Sequence, residues 1–454
     1  MNDRERVAEN RRRIKFSHVL IALLLVGIAA FAVFRINTRF KLRARIDAVR
    51  AAGYPVTCAE LDRWYAIPPD VENAAYTMEE AFLFLNSWDK EKSRALPVVG
   101  RAELPPRTEP LPADMRTVMA EYVADNNEAL ELLHTGAAIE DCRYAVDLTL
   151  GMGTLMPNLS EMRGSVFLLK LEAILHADAG DGESAKRSAI TCFGIARTLE
   201  GLPTTIAQLV RSACQAIAVS TVEQIVNRTE LTDEQLAEFV RCVREGERMC
   251  GLSEALIGER CMGMTFFKNP QGVDPDLVGG IPLGPLVALY KAAGLADSDA
   301  AIYLDLMDGY LKSSQLPPHE RQEAADAVGD RLRSTSKAHV LLHTIMPALS
   351  RVTTIELRTI ARLRAADAAI AVLRYRLATG KLPDKLADLV PAYLENIPKD
   401  PFDGNKLRYK KLDPGFIVYS IGEDLSDDGG KEKPSKTAKG GKPVNWDVTF
   451  IVER

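Results

Sequence analysis

The chain has 454 residues, a formal charge of −5, 47% apolar residues and 26% charged residues. That supplies core material for two or three domains, and a balance without a basic domain excludes a nucleic-acid binder of the usual electrostatic kind. The cysteines Cys58, Cys142, Cys192, Cys214, Cys242, Cys250 and Cys261 are scattered and contain no Cys-x-x-Cys, which excludes a zinc ribbon or a thioredoxin-type site. Buried thiols on helix faces are expected, and a Cys250–Cys261 pair is conceivable in an oxidising compartment.

Residues 16–34, FSHVLIALLLVGIAAFAVF, contain no Asp, Glu, Lys or Arg. As a helix they reach about 28 Å, close to the roughly 30 Å of a bilayer core. Ala30-Phe31-Ala32 would suit a signal peptidase, but the long apolar run and the basic helix after it favour an uncleaved anchor. Basic residues flank both sides, so the positive-inside rule is nearly balanced. The denser cluster, Arg11-Arg12-Arg13-x-Lys15, places the tail 1–15 in the cytoplasm and the rest outside the cytoplasmic membrane.

Residues 35–52 are basic and helix-favouring and extend the span outward as far as Gly53-Tyr-Pro55. A turn at 67–70 leaves Asp70 as a cap for a helix from Val71. The Pro-rich stretch 97–113 reads as a loop and 115–133 as a helix. Helices are expected over 165–179, 183–199 and 204–227, the last with Ile206, Leu209, Val210, Ala213, Ile217, Val222 and Ile225 in a 3.6-residue period. Thr232-x-x-Gln235 is a capping box that opens another. These antiparallel pairs with Gly turns resemble a tetratricopeptide array, with Ala173, Gly180 and Ala185 at its small positions. The resemblance covers one copy and lacks the aromatic positions, so 35–349 reads as an irregular helical bundle or solenoid.

The Gly- and Pro-rich segment 264–300 reads as a long loop. Its apolar residues Ile281, Leu283, Leu286, Val287, Leu289 and Tyr290 are expected to fold back on the bundle, a contact patch being the alternative. Helices follow at 301–312, 318–334 and 350–378, then strands near 408–410, 415–421 and 446–452. The expected class is mainly α with a small α+β module at 350–454.

That module carries a specific series: Arg374-Tyr-Arg-Leu-Ala-Thr-Gly-Lys-Leu-Pro383, Leu386-Ala-Asp-Leu-Val-Pro391, Pro398-Lys-Asp-Pro-Phe-Asp-Gly404, Leu407-Arg-Tyr409 and Phe416-Ile-Val-Tyr-Ser-Ile-Gly-Glu-Asp424. It resembles the globular half of the major pseudopilin of type II secretion systems. The resemblance implies a long helix turning through Gly-x-x-Pro into a small antiparallel sheet, with calcium in the acidic loop after the Tyr-Ser-x-Gly strand. The chain departs from that family at its N-terminus, because 13–30 lacks the prepilin cleavage site and its glutamate. The helix at 350–378 carries Arg351, Glu356, Arg358, Arg362, Arg364 and Asp367 on one face, so it is no membrane helix. The module therefore reads as one reused for capping or docking.

Calcium takes about six to eight oxygens from carboxylates and carbonyls in a loop that wraps it. Asp424, Asp427 and Asp428 in Gly422-Glu-Asp-Leu-Ser-Asp-Asp-Gly-Gly430, with Asp447 on the returning strand, are the candidate ligands for a structural ion. By resemblance Asp424 matches the first acidic ligand. The competing reading is a solvated turn whose acids balance Lys431, Lys433, Lys436, Lys439 and Lys442. His339 and His343 have zinc-like spacing, but Val340 stands where a metalloprotease needs Glu, and a third ligand such as Glu356 or His319 would have to come from elsewhere. Two ordinary histidines are expected.

No nucleophile elbow, Walker loop or dinucleotide fingerprint occurs. The expected function is non-enzymatic: an anchored extracytoplasmic scaffold or adaptor for other envelope proteins. The alternatives are an accessory component of a secretion or pilus-like system, and an envelope hydrolase with an unrecognised site.

Overall fold

The protein is described by a computed structural model at residues 3–66, 71–156, 158–268, 285–346, 348–434 and 445–454, with side chains omitted at 3–17, 285 and 286. Asp70, Ile281 and Leu283 lie outside the described residues, as does the side chain of Leu286.

The first helix, α1 (Asp3–Ala51), runs 49 residues, about 74 Å, without a break. From His18 to Phe34 its apolar stretch is exposed, and α1 is the one described helix long and apolar enough to cross a membrane. Past Arg35 the same helix docks onto the body. Leu42, Ile46 and Val49 pack on the core, while Ile36 and Phe40 face outward. Arg45 grips Asp305 with two parallel bonds of 2.9 and 3.0 Å. Arg50 bonds Glu60 at 2.8 Å.

Next come α2 (Cys58–Trp64), α3 (Ala74–Leu83), α4 (Lys90–Ser93), α5 (Ala113–Ala124) and α6 (Asn127–Ala138). Asn73 caps α3, its Oδ1 accepting from the Ala75 N–H at 3.1 Å. The single helix expected over 115–133 is two helices, broken at Asn126. Its buried amide accepts from the Asn86 N–H and donates to the Asn86 and Tyr122 carbonyls. A side chain that bonds the backbone this way competes with the helix ladder.

The next helices are α7 (Leu159–Asp178), α8 (Gly182–Thr198), α9 (Thr205–Arg228) and α10 (Asp233–Arg248). The first three pack mutually, and α10 opens at the expected Thr232–Gln235 capping box.

Then come α11 (Ser253–Lys268), α12 (Pro285–Ala292), α13 (Leu295–Ser314), α14 (Pro318–Ser334), α15 (Val340–Ile345) and α16 (Leu349–Thr379). The loop expected over 264–300 is thus helical at 264–268 and across most of 285–300. No element was expected over 253–263, where α11 carries Gly258 and Gly263. These are close-approach positions: a Cβ at Gly258 would lie 1.7 Å from the Pro203 carbonyl oxygen, where α11 crosses the α8–α9 turn. Of the apolar residues expected to fold back, Val287 is buried and Leu289 is exposed.

The axis of the body is α16, which packs against α9, α10, α14 and the sheet. Ala365, Ala366, Ala368, Ala369 and Ala371 are all fully buried, small enough to let neighbours close in from every side. Its expected polar face is largely engaged in ion pairs. Glu356 bonds Arg321, Asp367 bonds Arg244, and Arg364 bonds Glu247. Arg351 and Arg358 both reach Glu423.

The helix ends at Gly380, which takes φ 74° as the left-handed cap. The strands β1 (Arg408–Lys411), β2 (Phe416–Ser420) and β3 (Val448–Val452) form an antiparallel sheet in the order β1-β2-β3. Within the Pro398–Gly404 motif Asp400 is fully buried. Its carboxylate accepts from the Phe402 and Ile421 N–H groups, the Ser420 hydroxyl and Arg408. That motif is a structural knot between a turn and β2.

One hydrophobic cluster runs from Val56 to Val452, so residues on both sides of 349/350 share a core. The closest join is polar. β3 is an edge strand, and α9 takes the place of its missing neighbour. Glu223 accepts from the Ile451 N–H at 2.9 Å. Asn227 donates to the Ile451 carbonyl at 2.8 Å and accepts from the Glu453 N–H at 2.8 Å. Replacing Asn227 by alanine strands the buried Ile451 carbonyl and the half-buried Glu453 N–H, and a loss of about 1–3 kcal/mol is expected in urea unfolding of the detergent-solubilised chain. An unchanged midpoint would show that the sheet does not depend on this join.

Candidate functional site

Two polar regions lie at the join between the helical body and the sheet. The first is the acidic loop after β2. Asp447 sits just before β3, almost fully buried. Its Oδ2 accepts from the N–H groups of Gly430 at 2.7 Å and Lys431 at 3.2 Å, and Oδ1 from that of Asp428 at 3.4 Å. Burial, reinforced by the nearby charge of Asp428, raises its carboxyl above the usual aspartate value despite those donors.

Asp427 turns the other way, to the Tyr419 hydroxyl at 3.1 Å and its own loop at Gly429, with Arg408 3.9 Å off. Asp424 is exposed and caps the Ser426 N–H. Asp428 holds one buried oxygen without a hydrogen-bond partner. The structure thus brings Asp428 and Asp447 together and sends Asp424 and Asp427 elsewhere. Among the described residues no three His, Cys, Asp or Glu side chains are grouped to hold a metal ion. Residues 435–444, with Lys436, Lys439 and Lys442, lie outside the described residues.

The paired histidines part company. His339 precedes α15, with Nδ1 2.5 Å from Oδ1 of the fully buried Asp299. The same carboxylate accepts from the Leu342 N–H and meets the Tyr290 hydroxyl, so it pins α12 and α15 to α13. His343 Nε2 lies 3.3 Å from the Thr335 carbonyl. Glu356 is held by Arg321, and His319 lies near Glu320. The seven cysteines are unpaired thiols, five of them buried. Burial pushes all seven up, which makes them poor nucleophiles near neutral pH.

The second region escaped the sequence reading. Arg107, from the Pro-rich stretch, lies between three carboxylates on three elements. These are Glu223 of α9 at 3.5 Å, Glu453 after β3 at 3.5 Å, and Glu432 of the acidic loop. Arg228 donates to the Arg107 carbonyl at 2.9 Å. Lys170 of α7, whose charge also bears on Glu223, donates to the Ser220 hydroxyl at 2.7 Å. Burial lowers the Lys170 amine to about 8 and raises the Glu223 carboxyl to about 7, the latter opposed by Arg107 and the Ile451 N–H.

A lysine of near-neutral basicity on a serine hydroxyl is a known nucleophile arrangement. Here the pair sits between packed helices, and neither residue lines the cavities against α8, α9, α10 and α16. The cluster therefore reads as the polar bolt of the join. No short motif marks it, since its members come from positions 107, 170, 220, 223, 228, 432 and 453. The one available signal was the charge of Lys170 and Glu223 on helices otherwise set to be buried.

No family model, curated protein or solved structure matches the chain.

Glu223 has a raised value in the fold, so its stabilising share is complete below the ordinary glutamate value of 4.5 and is lost as pH rises through about 7. Unfolding free energy is expected to fall across that window by on the order of 3 kcal/mol from this group. Glu223→Gln should flatten that slope. An unchanged slope in the variant would remove Glu223 as its source.

Proposed function

We propose that this chain is a single-pass membrane protein whose span in α1 anchors an extracytoplasmic helical body serving as a scaffold or adaptor for other envelope proteins. The observation that carries it is α1 itself. Its apolar stretch has no protein against it, and a soluble chain does not leave so large an apolar surface in water. Directly after it the same helix is fastened to the body by Arg45–Asp305, Arg50–Glu60 and a partly buried apolar face. The body is thereby presented at a fixed attitude close to the bilayer, which suits a platform for neighbouring proteins. The cluster Arg11-Arg12-Arg13 supports a cytoplasmic N-terminus.

A second reading, an accessory component of a secretion or pilus-like system, is favoured by one observation. A long helix ends at a left-handed Gly380 and leads into a three-stranded antiparallel sheet packed on it. In that reading a partner strand adds at β1, because α9 already covers β3.

Two measurements test this. Deleting residues 1–34 is expected to move the protein from the alkali-resistant membrane pellet to the soluble fraction and to change body stability by less than about 1 kcal/mol, since the deleted stretch makes little contact with the body. A truncated chain still in the pellet would remove α1 as the anchor. Cross-linking in native membranes, purification and mass spectrometry should recover other envelope proteins in stoichiometric amounts. Recovery of secretion-machine subunits would decide for the second reading, and no specific recovery would overturn both.

A further inference from the structure

A cavity of about 390 Å³ opens where α1 meets the end of α11, the end of α12 and the start of α13. Arg35, Arg39, Arg43, Lys268 and Lys291 line it, against the single carboxylate of Asp297. Asp297 takes Arg35 Nη1 at 3.3 Å and faces Arg39 Nε at 3.7 Å. Arg35 also donates to the Lys291 carbonyl at 3.2 Å, and Lys291 Nζ to the Lys268 carbonyl at 2.6 Å. The basic groups are thus partly oriented by the protein. Arg43, Lys268 and Lys291 have no ion-pair partner among the described residues. An anion entering the cavity would therefore find uncompensated positive charge.

The position of the cavity identifies the anion. Arg35 is the first residue after the apolar stretch 16–34. Arg39 and Arg43 follow on the same helix face, about 6 and 12 Å further along the axis. A bilayer's polar layer adds roughly 5–8 Å beyond each side of its hydrocarbon core. Arg35 and Arg39 therefore lie at headgroup depth and Arg43 just beyond it, and the cavity faces that layer. Its wall also includes Leu42, Ile46 and the buried Phe267. Basic pockets beside membrane helices recognise anionic headgroups by this combination of charge and depth.

We propose that this cavity binds the phosphate headgroup of an anionic phospholipid from the leaflet that α1 enters. The proposal rests on the membrane reading given above. Bound there, the lipid bridges α1 to α11, α12 and α13 and fixes the body against the membrane surface.

The test reconstitutes the full chain in nanodiscs of phosphatidylcholine alone or of phosphatidylcholine with phosphatidylglycerol, and counts retained lipid by native mass spectrometry. Phosphatidylglycerol is expected to be retained selectively, and Arg43→Gln should weaken retention about fivefold, the effect of one basic residue at a membrane surface. Lys41→Gln removes the same charge from α1 at nearly the same depth without lining the cavity, and should retain lipid as the wild type does. Equal loss in both variants would mean surface potential alone and overturn the site, as would no loss in either. Displacement of the lipid by excess inorganic phosphate would overturn the lipid as its occupant. Failure of the wild type to enter phosphatidylcholine discs would instead overturn the anchor, and the lipid proposal with it.

Discussion

A strand at the edge of a sheet carries backbone groups that must be satisfied, and in β3 those at Ile451 and Glu453 are satisfied by side chains of a helix. Glu223 and Asn227, four residues apart on α9, meet the Ile451 N–H and carbonyl and the Glu453 N–H. The spacing works because residues four apart share a helix face. The bonds fix the sheet in register with α9, and α16 is enclosed between them and α10. Arg107 then draws the Pro-rich stretch and the acidic loop onto the same place. Without this join the sheet would expose an unprotected edge and α16 would lose one of its walls.

The join is electrostatic in character. Lys170, Glu223, Arg107 and Arg228 are ionisable groups in a region where unpaired charge is expensive. Their number is nearly balanced by opposite partners, yet Arg107 Nε and two nitrogens of Arg228 have no hydrogen-bond partner. A hydrophobic join of the same shape would fold as readily. A polar one of this kind admits one register, since each group has a particular partner.

Much of the secondary structure was legible because local signals are strong where an element begins or ends. Thr232–Gln235, Gly180 and Gly380 each mark a terminus through a specific hydrogen bond or a left-handed residue, and the alternation in Trp446–Val452 marked β3. The misses have physical causes. Helix α11 is buried on most sides, so no apolar period shows, and Gly258 and Gly263 stand where neighbouring atoms leave no room for a Cβ. Asn126 breaks a helix by bonding the backbone at Asn86, forty positions away in sequence. The acidic residues at 424–428 were readable as a cluster, but their directions were not. Asp447 is committed to backbone donors and Asp427 to Tyr419, which only the folded loop decides. The charged cluster at Arg107 is assembled from distant positions and had no local sign.

Helix α1 has no joint between its apolar stretch and the part fastened to the body. Under the membrane reading, its angle in the bilayer and the attitude of the body are one variable. A thinner or thicker bilayer is accommodated by tilting a span whose hydrophobic length does not match it. With a flexible linker that tilt would be absorbed at the surface. Here it is transmitted along the docked half of α1, so the face the body offers to its neighbours varies with the thickness of the membrane that holds it.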